Sequence, residues 1–167
     1  TDNCPGFGSV AKYIAVSTYE ASLDVMSMAN SSTKVFLLEV MGRHAGWLAA
    51  SAGIIKNNAN QPPHIILLPE VIFNEKKFLK KVNETIIRSG YCVIVASEGI
   101  KNSKNQFISA SNSKDDFGHA HLGGVAPILA NMITKHLKQK VHWAVSDYLQ
   151  RAARHIASKV DVDQAYA

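Results

Sequence analysis

The sequence predicts an α/β fold: a three-layer sandwich with a mostly parallel sheet of about four strands and helices on both faces. Helical and strand-like segments alternate along the chain, which is the order that parallel strands joined by crossover helices require. The strand-like segments are apolar throughout, as in strands covered on both faces. No turn of the Asn-Gly type joins them, so no hairpin is predicted. With 167 residues, 47% of them hydrophobic, the chain can form one domain with a sizeable core.

The first part of the chain predicts a helix, a strand and a second helix. A turn at Pro5–Gly8 is followed by Ser9, a residue type that often caps helices. Apolar residues recur every three or four positions from Val10 to about Met28, which predicts a helix. The short apolar run Lys34–Val40 is rich in β-formers and predicts a strand covered on both faces. A buried helix is predicted over Trp47–Ile55.

The middle of the chain continues the alternation. Residues 57–63 form a polar loop, and the apolar run His64–Leu68 predicts a second buried strand. Asn74 is placed to cap a helix, and Gly90 follows its end. Tyr91–Ala96 predicts a third buried strand. The apolar face of the helix between them comprises Phe78, Leu79, Val82, Ile86 and Ile87.

The last part of the chain predicts a long loop and three further elements. Lys101–Asp116 is polar and rich in turn residues, so we expect an exposed excursion. Gly123-Gly124 opens a helix over Val125–His136. A fourth strand is predicted at Val141–Val145, and a helix at Leu149–Ala157.

The two ends suggest a piece of a longer protein. The chain opens on Thr1 rather than Met, and it ends on an apparent helix start at Asp161. Its two cysteines, Cys4 and Cys92, can form neither a disulfide framework nor a cysteine-based zinc site, so we expect free thiols in the cytoplasm. Charged residues interrupt the most apolar stretch, so no membrane association is expected.

The charge balance is modestly basic. Lys and Arg total 18 against 13 Asp and Glu, for a net charge of +5, which suits a phosphorylated small molecule, a nucleic acid or an acidic surface. Nucleic-acid binding is disfavoured because Phe78, the only aromatic residue near the main lysine cluster, lies on the apolar face of the same helix. The lysine face is interpreted as solvated, and it comprises Lys76, Lys77, Lys80 and Lys81.

Candidate ligand-binding residues follow the predicted strands. Ligands of open α/β sheets bind beyond the carboxyl ends of the strands. Met41-Gly42-Arg43 follows the first strand, Pro69-Glu70 the second, Ser97-Glu98-Gly99 the third, and Tyr148 and Arg151 the fourth. Arginine binds phosphate and a carboxylate accepts from a sugar hydroxyl, so this edge suits a sugar phosphate. Each residue alone could instead be a solvated helix start, a cap, an ion-pair partner or a packing residue.

Two other groups allow more than one interpretation. His119 and His121, beside Asp115 and Asp116, could hold a metal ion, but this spacing is more typical of a loop or a helix entry. His44 could act as an acid or base near neutral pH, or make a structural polar contact.

Several of these motifs together resemble the substrate-binding half of the 6-phosphofructokinases. The similarity runs in order over nearly the whole chain. The residues of the Thr1–Gly8 and Met41–Gly46 segments most resemble those of the branch that uses pyrophosphate rather than ATP. The motifs that carry the resemblance are Glu39–Trp47, Pro69–Val71, Ala96–Gly99 and Tyr148–Arg151.

The resemblance implies a role for each candidate residue. Met41 and Gly42 would contact the sugar phosphate, and Arg43 would stabilise the transferring phosphoryl group. Glu98 would bind a fructose hydroxyl, and Tyr148 and Arg151 would hold the 6-phosphate. Lys34 would reach the 6-phosphate site of a neighbouring subunit in a homo-oligomer, where bacterial ATP enzymes carry Arg. At a further position where ATP enzymes tend to have Arg, this chain has His142, to which no role is assigned.

The resemblance also implies what residues 1–167 do not contain. The family's catalytic base, its donor-phosphate loops and its Mg²⁺ ligands precede the match to Thr1, and Asp2 does not replace the base. Residues 1–167 are therefore expected to be the substrate-binding domain of a longer cytoplasmic enzyme of glycolysis, inactive alone. That enzyme would transfer a phosphoryl group from pyrophosphate, or alternatively ATP, to the 1-hydroxyl of fructose 6-phosphate. A non-catalytic sugar-phosphate binding module is the alternative.

Overall fold

Four parallel strands form the centre of the computed structural model, which describes residues 6–58, 60–109 and 124–166. They are β1 (Val35–Val40), β2 (Ile65–Leu67), β3 (Cys92–Ser97) and β4 (Val141–Val145). Their order across the sheet is β2-β3-β1-β4, and every pairing is parallel. In this register Val35 lies opposite Cys92 on one side and Val141 on the other. The prediction of a mostly parallel four-stranded sheet is confirmed.

Helices cover both faces of this sheet. On one face Leu37 and Ile94 pack against Val82 and Leu129, and on the other Leu38, Val95, Ile14 and Ala49 form a second cluster. This arrangement confirms the predicted three-layer sandwich. The helices are α1 (Phe7–Met28), α2 (Trp47–Ser51), α3 (Glu75–Ser89), α4 (Val125–Leu137), α5 (Leu149–Ala152) and α6 (Lys159–Tyr166), with 3₁₀ turns at Ala52–Ile55 and Arg154–Ile156.

Helix α3 follows the local signals closely. The side chain of Asn74 accepts a hydrogen bond from the amide of Lys77 at 2.9 Å, and Gly90 ends the helix in the left-handed conformation at φ 83°. Phe78, Val82 and Ile86 are buried as predicted. Ile87 is 76% exposed, so its assignment to the apolar face was wrong. It lies on the outer side of the helix, beyond the stripe that meets the sheet.

The fourth strand departs from the prediction that apolar strands are covered on both faces. Most of β4 is exposed, and the side chains of Trp143 and Val145 are 47% and 40% exposed. β4 is an edge strand that pairs only with β1 among the described residues. An apolar sequence shows that a strand can be buried, but it does not show whether another element covers it.

The beginning of α1 and the end of the chain also differ from the predictions. Helix α1 starts at Phe7, so Ser9 lies within its first turn and is not the cap. The helix predicted over Leu149–Ala157 breaks at Ala153, whose ψ of 75° interrupts helical bonding, and α6 follows. The helix predicted at Trp47–Ile55 begins as α2 and tightens into a 3₁₀ turn. Its predicted burial was wrong at both ends, because Trp47 and Ile54 are each 73% exposed.

Some predictions fall on residues that the structure does not describe: Asp2, Cys4, Asp115, Asp116, His119, His121 and Gly123. The described part of the loop after β3 is held by an antiparallel bridge between Lys101 and Phe107.

Cys92 is a buried free thiol, and burial raises its pKa to about 12. None of the described helices has the length and hydropathy needed to cross a bilayer.

Candidate functional site

The segments that follow β1, β3 and β4 meet at one edge of the sheet. We call this the carboxyl edge; it comprises residues 41–43, 98–99 and 146–151. The strand pairing continues past the strands, because the amide of Glu98 donates to the carbonyl of Val40 and the amide of Ser146 donates to that of Glu39, each at 2.9 Å. The topology thus brings together the predicted residues that follow these three strands.

Gly42 is held against the end of β3. Its amide donates to Glu98 Oε1 at 3.2 Å, and its carbonyl accepts from the hydroxyl of Ser97. Gly42 has φ +141°, and a Cβ there would lie 2.8 Å from the carbonyl oxygen of Ala45. Only glycine suits this conformation and spacing. The contact joins two of the predicted site residues, Gly42 and Glu98.

Gly99 brings the same two segments into backbone contact. A Cβ at this position would lie 2.1 Å from the carbonyl oxygen of Arg43 and 2.5 Å from that of Gly42. Any larger residue would push the Arg43 segment away from β3. Glycine at position 99 therefore allows the Arg43 backbone to lie close to the segment after β3. Arg43 is half-buried at this position.

Tyr148 and Arg151 stand on the outer side of the carboxyl edge. The guanidinium carbon of Arg151 lies 5.0 Å from the centroid of the Tyr148 ring. The backbone amide of Arg151 donates to the Tyr148 carbonyl at 3.0 Å. Both side chains are exposed, Tyr148 by 66%. Arg151 lines a groove of about 560 Å³ together with Arg154 and the start of α1. The pair is therefore accessible to an anion.

Gln150 links this pair to Met41, the residue after β1, and it is not among the residues predicted from the sequence. Its side chain is 1% exposed; Oε1 accepts from the amide of Met41 at 3.4 Å, and Nε2 donates to the carbonyl of Asp147 at 2.8 Å. Its position between Tyr148 and Arg151 carried no signal, because glutamine side chains are mostly exposed. Met41 and Arg151 are thus connected through one buried amide side chain.

Glu39 is a second buried group that the sequence analysis did not single out. It is 1% exposed within β1, and its two carboxylate oxygens accept from the amides of Gly124 and Ala126 at 3.0 and 2.8 Å. Burial raises the pKa of this carboxyl group, and the hydrogen bonds from the start of α4 oppose that shift. An acidic residue in an otherwise apolar strand was the available signal.

Glu70 lies apart from the other carboxylates of the site. Its Oε1 accepts from the amide of Gly46 at 2.7 Å, just before α2. Glu70 thus accepts from the amide of the residue that precedes α2, which joins the segment after β2 to the start of that helix. A Cβ on Gly46 would lie 2.7 Å from Glu70 Oε2, so the contact is close.

Lys34 lies at the opposite, amino edge of the sheet. Its carbonyl accepts from the amide of Cys92 at 2.8 Å, at the point where β1 and β3 begin. The length of β1 separates it from Met41 by about 20 Å. Lys34 is therefore not brought to the carboxyl edge of its own chain. A role at a neighbouring subunit stays a prediction.

His44 and one lysine of α3 contact neighbouring side chains of the fold. The ring of His44 lies 5.7 Å from that of Phe107, and Lys101 Nζ lies 5.0 Å from the same ring. His44 thus packs against the loop after β3. The four lysines of α3 are exposed, and one of them, Lys80, lies 3.8 Å from Glu84.

The described carboxylates at or near the carboxyl edge do not converge into a metal centre. In residues 6–58, 60–109 and 124–166, no three His, Cys, Asp or Glu side chains converge as metal ligands. Glu39, Glu70 and Glu98 each accept backbone hydrogen bonds at separate places. The described residues therefore do not fit a Mg²⁺ site.

Residues 1–162 match the model of a protein family described as phosphofructokinase. The chain belongs to the phosphofructokinase family. It is 59% identical over its whole length to the pyrophosphate–fructose 6-phosphate 1-phosphotransferase of Halomonas elongata, and 58% identical to that of Methylococcus capsulatus. It spans 40% of the length of each of these relatives.

The fold of this chain agrees with that of a solved relative. The crystal structure of the pyrophosphate-dependent phosphofructokinase of Marinobacter aquaeolei is 57% identical and superposes with a TM-score of 0.83. The match covers 100% of this chain and 38% of that one. The family predicted from the motifs is confirmed, as is the resemblance to its pyrophosphate-dependent branch.

Proposed function

We propose that residues 1–167 are the substrate-binding domain of a pyrophosphate-dependent phosphofructokinase. The longer enzyme transfers a phosphoryl group from pyrophosphate to the 1-hydroxyl of fructose 6-phosphate, as a cytoplasmic step of glycolysis. The observation that carries the proposal is the convergence of Gly42, Arg43, Glu98 and Arg151 at one edge of the sheet, joined through Glu98 Oε1 and through Gln150. The names of the relatives supply the reaction and the donor.

The 6-phosphate of the sugar binds at Tyr148 and Arg151. A guanidinium presents paired N–H donors to phosphate oxygens, and the Tyr148 hydroxyl adds another. Both side chains are exposed, and Arg151 lines a groove of about 560 Å³. Met41 and Gly42 border the sugar with their backbone, since Gly42 has no side chain to obstruct it.

Glu98 accepts a hydroxyl of the fructose ring. Its Oε1 is used by the amide of Gly42, which fixes the carboxylate, and Oε2 accepts from no other group among the described residues. Arg43 stabilises the negative charge that develops on the transferring phosphoryl group. Because phosphoryl transfer depends on positioning and charge neutralisation, such contacts are the domain's contribution to the rate.

The remaining parts of the site lie elsewhere. We assign the catalytic base, the pyrophosphate loops and the Mg²⁺ ligands to the enzyme outside residues 1–167. Lys34 serves a neighbouring subunit of a homo-oligomer, which is supported by its place at the amino edge, remote from the site of its own chain. Lys34 provides charge there without the bidentate fork of arginine.

Substitution of Arg151 in the full-length enzyme tests the proposal. Arg151→Ala should raise the KM for fructose 6-phosphate strongly, because losing a phosphate fork costs roughly 2–4 kcal/mol. Arg88→Ala, an exposed arginine at the end of α3, is the matched control and should leave the KM unchanged. A KM for Arg151→Ala within twofold of the wild type would overturn the assignment. Faster turnover with ATP than with pyrophosphate would overturn the assignment of pyrophosphate as the phosphoryl donor.

Calorimetry on the chain of 167 residues provides an independent test. It should bind fructose 6-phosphate with a Kd near the millimolar range, about −4 kcal/mol, because the rest of the cleft and the neighbour's Lys34 are absent. Fructose should bind more weakly. Equal affinity for fructose 6-phosphate and fructose would show that this chain does not contain the phosphate site. Formation of fructose 1,6-bisphosphate from pyrophosphate and Mg²⁺ would show that the base is within it.

A further inference from the structure

Asp161 ties the end of the chain to the start of α1. Its Oδ1 accepts from the amide of Gly6 at 3.0 Å, and its Oδ2 accepts from the amide and the hydroxyl of Ser9 at 2.7 and 2.6 Å. The amide of Ser158 donates to the same Ser9 hydroxyl at 2.8 Å. We call these four hydrogen bonds the Asp161 clamp. They satisfy amides at the start of α1 that have no partner within the helix.

The segment that carries the proposed 6-phosphate residues has few other attachments. β4 before it is mostly exposed, and neither the 3₁₀ turn at Arg154–Ile156 nor α6 contains a buried residue. Within the described residues, hydrophobic burial therefore contributes little to holding this segment. Gln150 is the one buried side chain of residues 149–166. The contacts that attach this segment to the rest of the described residues include Gln150 and the Asp161 clamp, both polar.

Arg151 lies between the two anchors. On one side Gln150 bonds to Met41, and on the other the Asp161 clamp holds α6 to α1. Arg151 and Asp161 line the same groove of about 560 Å³ with Gly6 and Ser9. Movement of α6 away from α1 would open this groove and remove one of the two supports of Arg151.

We infer that Asp161 is a positioning residue, which holds the Tyr148–Arg151 segment where it can meet the 6-phosphate of the substrate. The inference rests on the proposed function of Arg151 and adds a residue to it. Asp161 acts through the α1 contact and does not itself bind the phosphate, since its carboxylate would repel one. The position requires a side chain that accepts hydrogen bonds from two amides and a hydroxyl. Both oxygens of a carboxylate can accept such bonds, whereas an amide side chain has only one accepting oxygen.

Asp161→Asn in the full-length enzyme tests the inference. The amide keeps one oxygen but turns an N–H₂ group toward a backbone donor, so the clamp should loosen. We expect the KM for fructose 6-phosphate to rise roughly tenfold, while the KM for pyrophosphate and kcat stay within about twofold. Asp163→Asn, an exposed residue of the same helix, is the matched control and should change nothing.

A double variant separates positioning from general loosening of the fold. In an Arg151→Ala background, Asp161→Asn should add little further change in KM, because the group that it positions is gone. Full additivity would overturn the inference, and so would a rise in both KM values. If Arg151→Ala alone has no effect, the proposed function fails. If only Asp161→Asn has none, the clamp alone fails.

A milder variant keeps the test usable if Asp161→Asn does not fold. Ser9→Ala removes the hydroxyl that bridges Asp161 and Ser158 but keeps both backbone bonds to the carboxylate. It should raise the KM for fructose 6-phosphate roughly two- to threefold with the KM for pyrophosphate unchanged. An unchanged KM for fructose 6-phosphate in Ser9→Ala would contradict the clamp.

Discussion

Glu98 Oε1 accepts a hydrogen bond from the backbone amide of Gly42 at 3.2 Å, which joins the segments that follow the two central strands. One oxygen of the carboxylate is therefore used to hold the loop after β1. The other oxygen, Oε2, accepts no hydrogen bond from the described residues. Glu98 and Gly42 orient each other, because one hydrogen bond holds both the carboxylate and the backbone amide.

Glu98→Gln should weaken binding of fructose 6-phosphate less than Arg151→Ala does. The glutamine oxygen can still accept from Gly42, but the amide nitrogen that replaces Oε2 cannot accept from a hydroxyl. We expect a three- to tenfold rise in KM with little change in kcat, measured in the full-length enzyme. Glu84→Gln on the exposed side of α3 is the control. Tighter binding by Glu98→Gln would contradict the acceptor role.

Arg43→Lys tests whether Arg43 acts on the transition state. Lysine keeps one positive charge but cannot present two parallel N–H donors to the transferring group. We expect kcat to fall on the order of 10²-fold with little change in the KM for fructose 6-phosphate. Arg88→Lys serves as the control for the same exchange at a remote position. An effect on KM alone would show that Arg43 binds only the ground state.

Glu39→Gln should destabilise the chain. The carboxylate accepts from two amides at the start of α4, and a glutamine would direct its N–H₂ group at one of them in a buried place. A mismatched buried polar group costs about 1–3 kcal/mol, which urea unfolding of the 167-residue chain can measure. Glu84→Gln, which exchanges the same groups at an exposed position, should be within about 0.5 kcal/mol of the wild type. Equal stability of both variants would show that α4 does not depend on Glu39.

His64 should make the stability of the chain depend on pH. Its Nδ1 accepts from the amide of Val93 at 3.0 Å, and burial is the main cause that lowers its pKa from 6.5 to about 4. The unfolded chain therefore binds a proton between these values and the folded chain does not. Stability from this group is complete above pH 6.5 and is lost as the pH falls toward 4. The loss is up to about 2 kcal/mol after allowing for partial solvation.

His64→Asn removes the titration but retains an acceptor for the Val93 amide. The difference in unfolding free energy between the wild type and this variant should change between pH 6.5 and pH 4, in the direction that disfavours the wild type at low pH. His155→Asn, at an exposed histidine, should leave the pH dependence of the wild type unaltered. A constant difference between wild type and His64→Asn across this range would mean that His64 does not stay neutral in the fold.

The elements that the sequence predicted well depend on neighbouring residues. Asn74 and Gly90 bound α3 because a cap bonds to an amide three residues away and glycine tolerates the left-handed conformation. The first and third strands were recognisable because the central strands of a parallel sheet are apolar on both faces. Met41–Arg43, Glu98 and Tyr148–Arg151 were placed at one edge because parallel strands end on the same side.

The sequence by itself determined the order of elements, the parallel sheet and the residue types at its carboxyl edge, since these follow from local pattern and from the direction of the strands. Only the tertiary structure decided which carboxylate serves which backbone amide: Asp161 at α1, Glu70 at α2 and Glu39 at α4. A helix start needs an acceptor for its free amides, and any residue that the fold brings near can provide one. Asp161 and Ser9 are 152 positions apart, so no spacing in the sequence could reveal their contact.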